Sequence, residues 1–67
     1  MLKDQLQKIR KKHNKTQQEI ADILGITQSA YAYYETGRNE PDIETLKKLA
    51  DYYETSIDYL VGRYGKQ

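Results

Sequence analysis

The stretch that most restricts the fold of this 67-residue chain runs from Thr16 to Gly37. Thr16 and Glu19 have the spacing of a capping box, in which each side chain bonds the backbone N–H of the other residue at a helix start. Apolar residues follow at helical spacing until Gly25, a residue type that readily adopts the left-handed conformation at a helix end. The sequence therefore predicts a pair of short helices over about residues 17–36, joined by one tight turn.

The second helix of this pair has a face without charge. Thr27 is a candidate N-cap, and the helical pattern that follows it continues to Gly37. With about 100° of rotation per residue, one side of the helix collects mostly small and polar residues, namely Gln28, Ser29, Ala32, Tyr33 and Thr36. An amide can bond adenine at two points and a short hydroxyl can bond any base. The face therefore carries side chains that suit the base edges of DNA.

Charge is distributed unevenly, although the formal net charge is only +1. Residues 1–19 carry six Lys or Arg against two Asp or Glu, a balance of +4, whereas residues 20–67 carry five against eight, a balance of −3. Such a distribution can concentrate positive potential on one side of a small domain. A lysine-rich helix that is simply solvated is the alternative explanation of the same charges.

Composition argues against several classes of protein. The chain has no cysteine, which excludes disulfides, thiolate metal sites and thiol redox chemistry. No stretch approaches the ~20 apolar residues of a membrane-spanning helix, and Lys3 and Asp4 do not fit a signal peptide. We expect one cytoplasmic domain over residues 1–67, without a metal or cofactor. The single histidine, His13, fits a helix end that bonds the last carbonyls better than it fits a metal site.

Helical periodicity also extends through the rest of the chain. The first helix is predicted from about Leu2 to His13, a fourth after Asp42 as its N-cap, and a short fifth after Thr55 and Ser56. No segment alternates with the period of a strand, so the sequence predicts an all-α, compact five-helix bundle. The predicted core consists of Leu6, Ile9, Ile20, Leu24, Tyr31, Tyr34, Leu46, Leu49, Ala50, Tyr53 and Leu60.

The helix pair resembles the helix-turn-helix of the Cro and lambda-repressor family, the XRE-type regulators. The residues that carry the resemblance occur in order along nearly the whole chain: Gln17, Ala21, Gly25, Ile26, Thr27, Tyr34, Glu35, Gly37, Pro41, Leu46, Leu49, Ala50, Ser56 and Leu60. Each of them alone is weak evidence, whereas the ordered set is specific. The resemblance implies a lambda-repressor-like DNA-binding domain and an ion pair between Arg10 and Glu35.

The resemblance also implies a way of binding double-stranded DNA. The second helix of a helix-turn-helix enters the major groove with its N-terminal residues at base edges, while the first crosses the backbone. Gln28 is the leading base reader, with adenine as the expected base, and the other predicted base contacts are Thr27, Ser29, Ala32 and Tyr33. Tyr33 could instead be an exposed aromatic residue without a role. Phosphate contacts are predicted for Lys15, Gln17, Gln18, Thr36, Arg38 and Asn39.

One such module buries too little surface for tight operator binding. Members of the resembled family act as dimers on half-sites about one helical turn apart, which implies a homodimer on a palindromic operator, formed mainly on DNA. The predicted interface lies on the fifth helix and the tail, at Tyr59, Val61 and Tyr64. The expected function is that of a nucleoid-associated transcriptional repressor without a small-molecule effector. An activator remains an alternative, because the position of the operator decides between the two.

Two rival functions use other features of the sequence. A protein-interaction module, such as an antitoxin or an accessory subunit, would keep the fold but would carry bulky apolar or acidic side chains on the reading face, where only Tyr33 is bulky. An enzyme would need a reactive constellation, and the sequence suggests neither a Ser-His-acid set nor a phosphate-binding loop. The expectation is therefore a DNA-binding protein that is not an enzyme.

Overall fold

Residues 2–62, the part of the chain that the computed structural model describes, form five α-helices and no strand. The helices are α1 (Leu2–Lys12), α2 (Gln17–Leu24), α3 (Gln28–Thr36), α4 (Ile43–Tyr53) and α5 (Ile57–Leu60). This confirms the predicted all-α, five-helix architecture, and the pair α2–α3 spans the predicted residues 17–36. None of these helices is long and apolar enough to span a membrane.

The helices α2 to α5 all begin at a polar residue that accepts a hydrogen bond from the backbone N–H three residues later. The caps are Thr16, Thr27, Asp42 and Ser56, at donor–acceptor distances of 2.9–3.1 Å. At the start of α2 the Thr16 N–H also donates to Glu19 Oε1 at 2.8 Å, which completes the predicted capping box. Each cap satisfies a backbone donor that would otherwise lack a partner and contributes about 1 kcal/mol.

The turn between α2 and α3 depends on Gly25. This residue has a φ of 73°, in the left-handed region, and the following Ile26 N–H donates to the Ala21 carbonyl at 3.0 Å. A Cβ added at Gly25 would meet no atom within 4 Å, so the glycine is required by its backbone conformation and not by lack of space. The turn brings the start of α3 beside α2.

Apolar side chains from all five helices meet in one core. Ten of the eleven predicted core residues are buried, and Ala21 joins them. The prediction is wrong for Tyr34, which is half-buried at the rim and meets the Tyr31 ring edge-on, with centroids 6.2 Å apart. Tyr31 and Glu35 are four residues apart and therefore share one side of α3. This side faces the core, and Tyr34 lies at its edge.

Two apolar residues at helical spacing are not buried. Ile23 is 43% exposed and Ile43 is 55% exposed. Ile43 is the first residue of α4, and helical side chains lean toward the N-terminus, so its side chain extends past the part of α4 that packs on the core. The first helix ends at Lys12, within one residue of its predicted end. His13 Nδ1 lies 2.9 Å from the Ile9 carbonyl oxygen, as expected of a residue at a helix end.

The end of α4 contains a strained residue. Glu54 has a φ of 55°, a left-handed conformation that costs a residue with a side chain about 1 kcal/mol, and its carboxylate opposes the dipole at the helix C-terminus. Glu54→Gly removes both effects and is expected to raise the free energy of unfolding by about 1 kcal/mol in urea denaturation. Glu54→Gln removes only the charge, so equal stability of the two variants would contradict a contribution from strain.

Candidate nucleic-acid interface

The orientation of α3 leaves one of its faces open to solvent. Tyr31 and Glu35 are buried against the rest of the molecule, so the opposite side of the helix points outward. Gln28 and Ser29 at its start are exposed, and the residues on the same side one turn later, Ala32 and Tyr33, are half-buried. The face is therefore accessible along its length and carries no charged side chain.

The inward side of α3 is fixed by a buried ion pair. The Arg10 guanidinium donates two hydrogen bonds to the Glu35 carboxylate, at 2.7 and 3.0 Å, and a third to the Lys15 carbonyl at 2.9 Å. The Glu35 side chain is only 2% exposed. Tyr31 Oη and Gln17 Nε2 also donate to the same carboxylate, at 2.5 and 3.0 Å. The ion pair implied by the family resemblance is present in the structure.

These contacts determine the ionisation of Glu35. Burial raises the pKa of its carboxyl group, but the hydrogen bonds from Arg10, Tyr31 and Gln17 outweigh burial and hold the pKa below its ordinary value. Burial and the contact with Glu35 raise the pKa of the Tyr31 hydroxyl. The network therefore contains a carboxylate, which only accepts hydrogen bonds, and a phenol that donates to it.

A chain of hydrogen bonds extends from this carboxylate to the surface of α3. Gln17 Nε2 donates to Glu35 Oε1, and Gln17 Oε1 accepts from Gln28 Nε2 at 2.6 Å. Since a carboxylate cannot donate, it requires the NH₂ end of the Gln17 amide, which turns the carbonyl end toward Gln28. The Gln17 carbonyl oxygen can only accept a hydrogen bond, so the NH₂ end of the Gln28 amide must face it. The buried carboxylate thus determines the orientation of both amides.

The sequence analysis missed the bond from Gln17 to the buried Glu35 carboxylate, because it treats Gln17 only as a phosphate contact. Gln7 was also missed, and its Nε2 donates to the Glu35 carbonyl at 2.6 Å. The sequence holds no local signal for either contact, because each depends on how two helices cross.

The residues predicted to contact phosphate are exposed, apart from Lys15 and Gln17, which are half-buried. Gln18 Nε2 donates to Asp22 Oδ1 at 2.8 Å, and Thr36 Oγ1 donates to the Tyr33 carbonyl at 3.2 Å. The Asn39 N–H donates to the same carbonyl at 3.2 Å. Arg38 lies against a residue predicted to contact a base, with its guanidinium carbon 4.6 Å from the centroid of the Tyr33 ring.

Comparison with known proteins identifies the family to which the chain belongs. A family model described as helix-turn-helix matches residues 6–60. The chain belongs to this helix-turn-helix family. The match covers α2, α3 and the helices that support them, and it confirms the resemblance seen in the sequence.

Named relatives of this helix-turn-helix chain are regulators. It is 48% identical over 60 residues to the HTH-type transcriptional regulator AnsR of Bacillus subtilis, covering 90% of this chain and 52% of the relative. It is 46% identical over 63 residues to the cryptic phage CTXphi transcriptional repressor RstR of Vibrio cholerae, covering 94% of this chain and 56% of the relative. The chain therefore spans about half the length of these curated relatives.

A solved structure shares the whole helix-turn-helix fold. The crystal structure of a transcriptional regulator from Listeria innocua matches with a TM-score of 0.90 and 37% sequence identity, over 100% of this chain and 62% of that one. The similarity includes all five helices described above.

Two of the three predicted dimer residues lie on α5 or directly after it. Tyr59 and Val61 are half-buried and pack against the core, and the Tyr59 carbonyl accepts a hydrogen bond from Gln5 Nε2 at 3.0 Å. Tyr64 lies outside the described residues. Within residues 2–62 there is no group of three or more His, Cys, Asp or Glu that could hold a metal ion.

Proposed function

We propose that this chain is the DNA-binding domain of a transcriptional regulator and that α3 reads double-stranded DNA in the major groove. The observation that carries the proposal is the exposed, uncharged face of α3, on which the Gln28 amide is oriented through Gln17 by a buried carboxylate. Membership of the helix-turn-helix family supports it, as do relatives named as transcriptional regulators and repressors. These similarities favour a regulator over an enzyme.

The orientation of Gln28 favours adenine as its base. One N–H of its NH₂ group is bonded to Gln17, which leaves the second N–H and the carbonyl oxygen for a ligand. Adenine presents the N7 acceptor and the N6 donor in the major groove, the complement of these two groups. Thr27 and Ser29 add exposed hydroxyls, and Ala32 adds a methyl group, so they complete a base-reading surface along the first turns of α3.

The phosphate backbone is proposed to bind on both sides of this surface. On one side, the N-terminal end of α2 presents backbone N–H groups and a positive helix dipole near Lys15, Gln17 and Gln18. On the other side, Thr36 is the last residue of α3, and Arg38 and Asn39 follow in the loop after it. Two anchor regions separated by the reading helix would fix the register of α3 in the groove.

We further propose a repressor that binds a palindromic operator as a homodimer in the cytoplasm, at the nucleoid. A single small module buries too little surface for tight specific binding, and two-fold symmetry places two reading helices in successive major grooves. Tyr59 and Val61 on and beside α5, together with Tyr64, are the proposed interface residues. Half-burial of the first two against the core would hold them in place for a partner.

Selection of bound duplexes from a random pool tests the proposal most directly. The expected result is a palindrome with half-sites about one helical turn apart. Sedimentation of the protein with and without the recovered duplex then gives the number of copies bound and shows whether they associate before binding. Failure to enrich any sequence, together with no salt-dependent binding to random duplexes, would reject the proposed function.

Arg38 is expected to affect all sequences equally. Arg38→Ala should weaken binding to the selected duplex and to a scrambled one by the same factor, because a phosphate carries no sequence information. The slope of log affinity against log salt should also fall by about one counterion. Lys47→Ala is the matched control, since it removes one exposed positive charge from α4. A loss confined to the selected duplex would show instead that Arg38 reads a base.

A further inference from the structure

A stacked pair joins the last turns of α3 to the loop that follows the helix. The guanidinium carbon of Arg38 lies 4.6 Å from the centroid of the Tyr33 ring, within the range of a cation–π contact. We propose that Tyr33 is a positioning residue whose ring holds the Arg38 guanidinium ready for a DNA phosphate. This inference rests on the proposed function and replaces base reading as the role of Tyr33.

The backbone at the end of α3 brings the two side chains together. Gly37 has a φ of 82°, in the left-handed region, and reverses the chain after the last turn. The Tyr33 carbonyl accepts hydrogen bonds from the Thr36 hydroxyl and the Asn39 N–H, both at 3.2 Å. These bonds tie the loop back over the helix at Tyr33 itself. The position of Arg38 above the ring therefore follows from a defined turn.

The stack leaves the binding groups of Arg38 free. A guanidinium has five N–H donors, and a contact with the face of a ring leaves most of them available for phosphate oxygens. Within residues 2–62, no carboxylate lies within ion-pair distance of Arg38. Its charge is therefore not neutralised by a neighbouring acid and is available for an anionic ligand.

The ring also reduces the entropy that Arg38 loses on binding. An exposed arginine has many rotamers, and fixing them opposes association. Tyr33 is half-buried and is part of a helix, so its ring is a stable support that is present before DNA arrives. The ring carries no charge, and it acts through a phosphate contact. We therefore expect its removal to weaken binding to every sequence while leaving the salt slope nearly unchanged.

A double-mutant cycle between Tyr33→Leu and Arg38→Ala tests the inference. The probes are the duplex recovered by selection and a scrambled duplex of the same length. Tyr33→Leu should weaken both by about two- to five-fold, the range of an exposed cation–π contact. In the Arg38→Ala background the same substitution should have almost no effect. Tyr33→Phe keeps the ring and should restore binding to within about two-fold of the original.

A second measurement examines the pair without DNA. Protons on the Arg38 side chain should show ring-current shifts in NMR spectra of the original chain and of Tyr33→Phe, and these shifts should disappear in Tyr33→Leu. Far-UV circular dichroism verifies that each variant is folded. Coupled losses on both duplexes, with rescue by Phe, support the inference.

Two other outcomes have separate meanings. If the original chain binds the selected duplex but the two substitutions have additive effects, or if Tyr33→Leu weakens only the selected duplex, the positioning role is wrong while the proposed function stands. If the original chain binds neither duplex, the proposed function fails, and the DNA role of the pair fails with it.

Discussion

Glu35→Ala is expected to lower the free energy of unfolding by about 3–5 kcal/mol, the usual result of removing one partner from a buried ion pair. The substitution leaves the Arg10 guanidinium without its carboxylate in a site where Glu35 itself is only 2% exposed. It also removes the acceptor of Tyr31 and Gln17. Each of these donors then loses its hydrogen-bond partner in a partly or fully buried position, which is itself unfavourable.

The size of this effect is comparable to the whole stability of a small domain, which is about 3–5 kcal/mol. Glu35→Ala should therefore be largely unfolded in circular dichroism, and thermal and urea denaturation of Glu35→Gln provide a milder comparison. Glu44→Ala is the matched control, because Glu44 is exposed in the first turn of α4. The double variant Arg10→Met with Glu35→Leu removes both charges and should lose less than Glu35→Ala. A fully stable Glu35→Ala chain would contradict the importance of the pair.

Acid should reproduce part of the same loss. Because the folded pKa of Glu35 lies below its unfolded pKa, the carboxylate contributes stability that is complete above the unfolded pKa. That contribution disappears as the pH falls through the folded pKa. In Glu35→Gln the contribution is absent at every pH. The difference in free energy of unfolding between the original chain and Glu35→Gln, measured by urea denaturation, should therefore shrink toward acid pH.

The sequence predicts most of the fold because the signals that define its helices are local. The capping side chains at Thr16, Thr27 and Asp42 act on backbone groups within three residues, and Gly25 acts through its own φ. Such interactions can be recognised without knowing how the helices pack. The periodicity of apolar residues then identifies the side of each helix that faces the core.

Burial at the edges of the helices could not be predicted in the same way. Tyr34 and Ile43 both follow the apolar periodicity, but one is half-buried and the other is exposed. Their burial depends on where a neighbouring helix ends and at what angle it crosses, and periodicity contains neither quantity. Glu35 illustrates the opposite case, because only the resemblance to a known family indicated that this charged residue has a partner in the core.

The candidate site was predicted as a surface, but not as a network. Gln28 and Ser29 are exposed in the first turn of α3, on the face that helical periodicity predicts to be polar. The bond between Gln17 and Gln28 depends on the relative rotation of two helices, and the stack of Arg38 on Tyr33 depends on the turn after α3. Both pairs join residues that the sequence had placed separately among base and phosphate contacts.

One carboxylate therefore connects the packing of α1 on α3 with the proposed base-reading surface. Glu35 anchors α1 to α3 through Arg10, and it sets the orientation of the Gln28 amide through Gln17. Gln17→Leu removes the bridging amide while the bonds of Arg10 and Tyr31 to Glu35 remain. We expect this variant to stay folded in circular dichroism and to lose preference at the base pair assigned to Gln28. It should also bind every duplex more weakly, because Gln17 is itself a proposed phosphate contact.

Gln28→Ala is expected to weaken binding to the selected duplex by about 1–3 kcal/mol, or roughly five- to 150-fold, and to remove the preference at one base pair. The reason is the loss of two hydrogen bonds to one base edge, which a methyl group cannot replace. Binding to a scrambled duplex should be nearly unchanged. The measurement is the dissociation constant on the selected duplex and on the three duplexes that carry the other base pairs at the position assigned to Gln28.

Gln18→Ala provides the matched control for this loss. Gln18 is an exposed glutamine on α2, bonded to Asp22 and assigned to the phosphate backbone, so any loss it causes should be the same for all sequences. Because the NH₂ end of Gln28 is held by Gln17, Gln28→Glu should be worse than Ala, since its carboxylate would face the Gln17 carbonyl and could not donate to adenine N7. Equal losses for Gln28→Ala on selected and scrambled duplexes would show that Gln28 does not read a base, and α3 would then have to derive its specificity from Thr27 and Ser29.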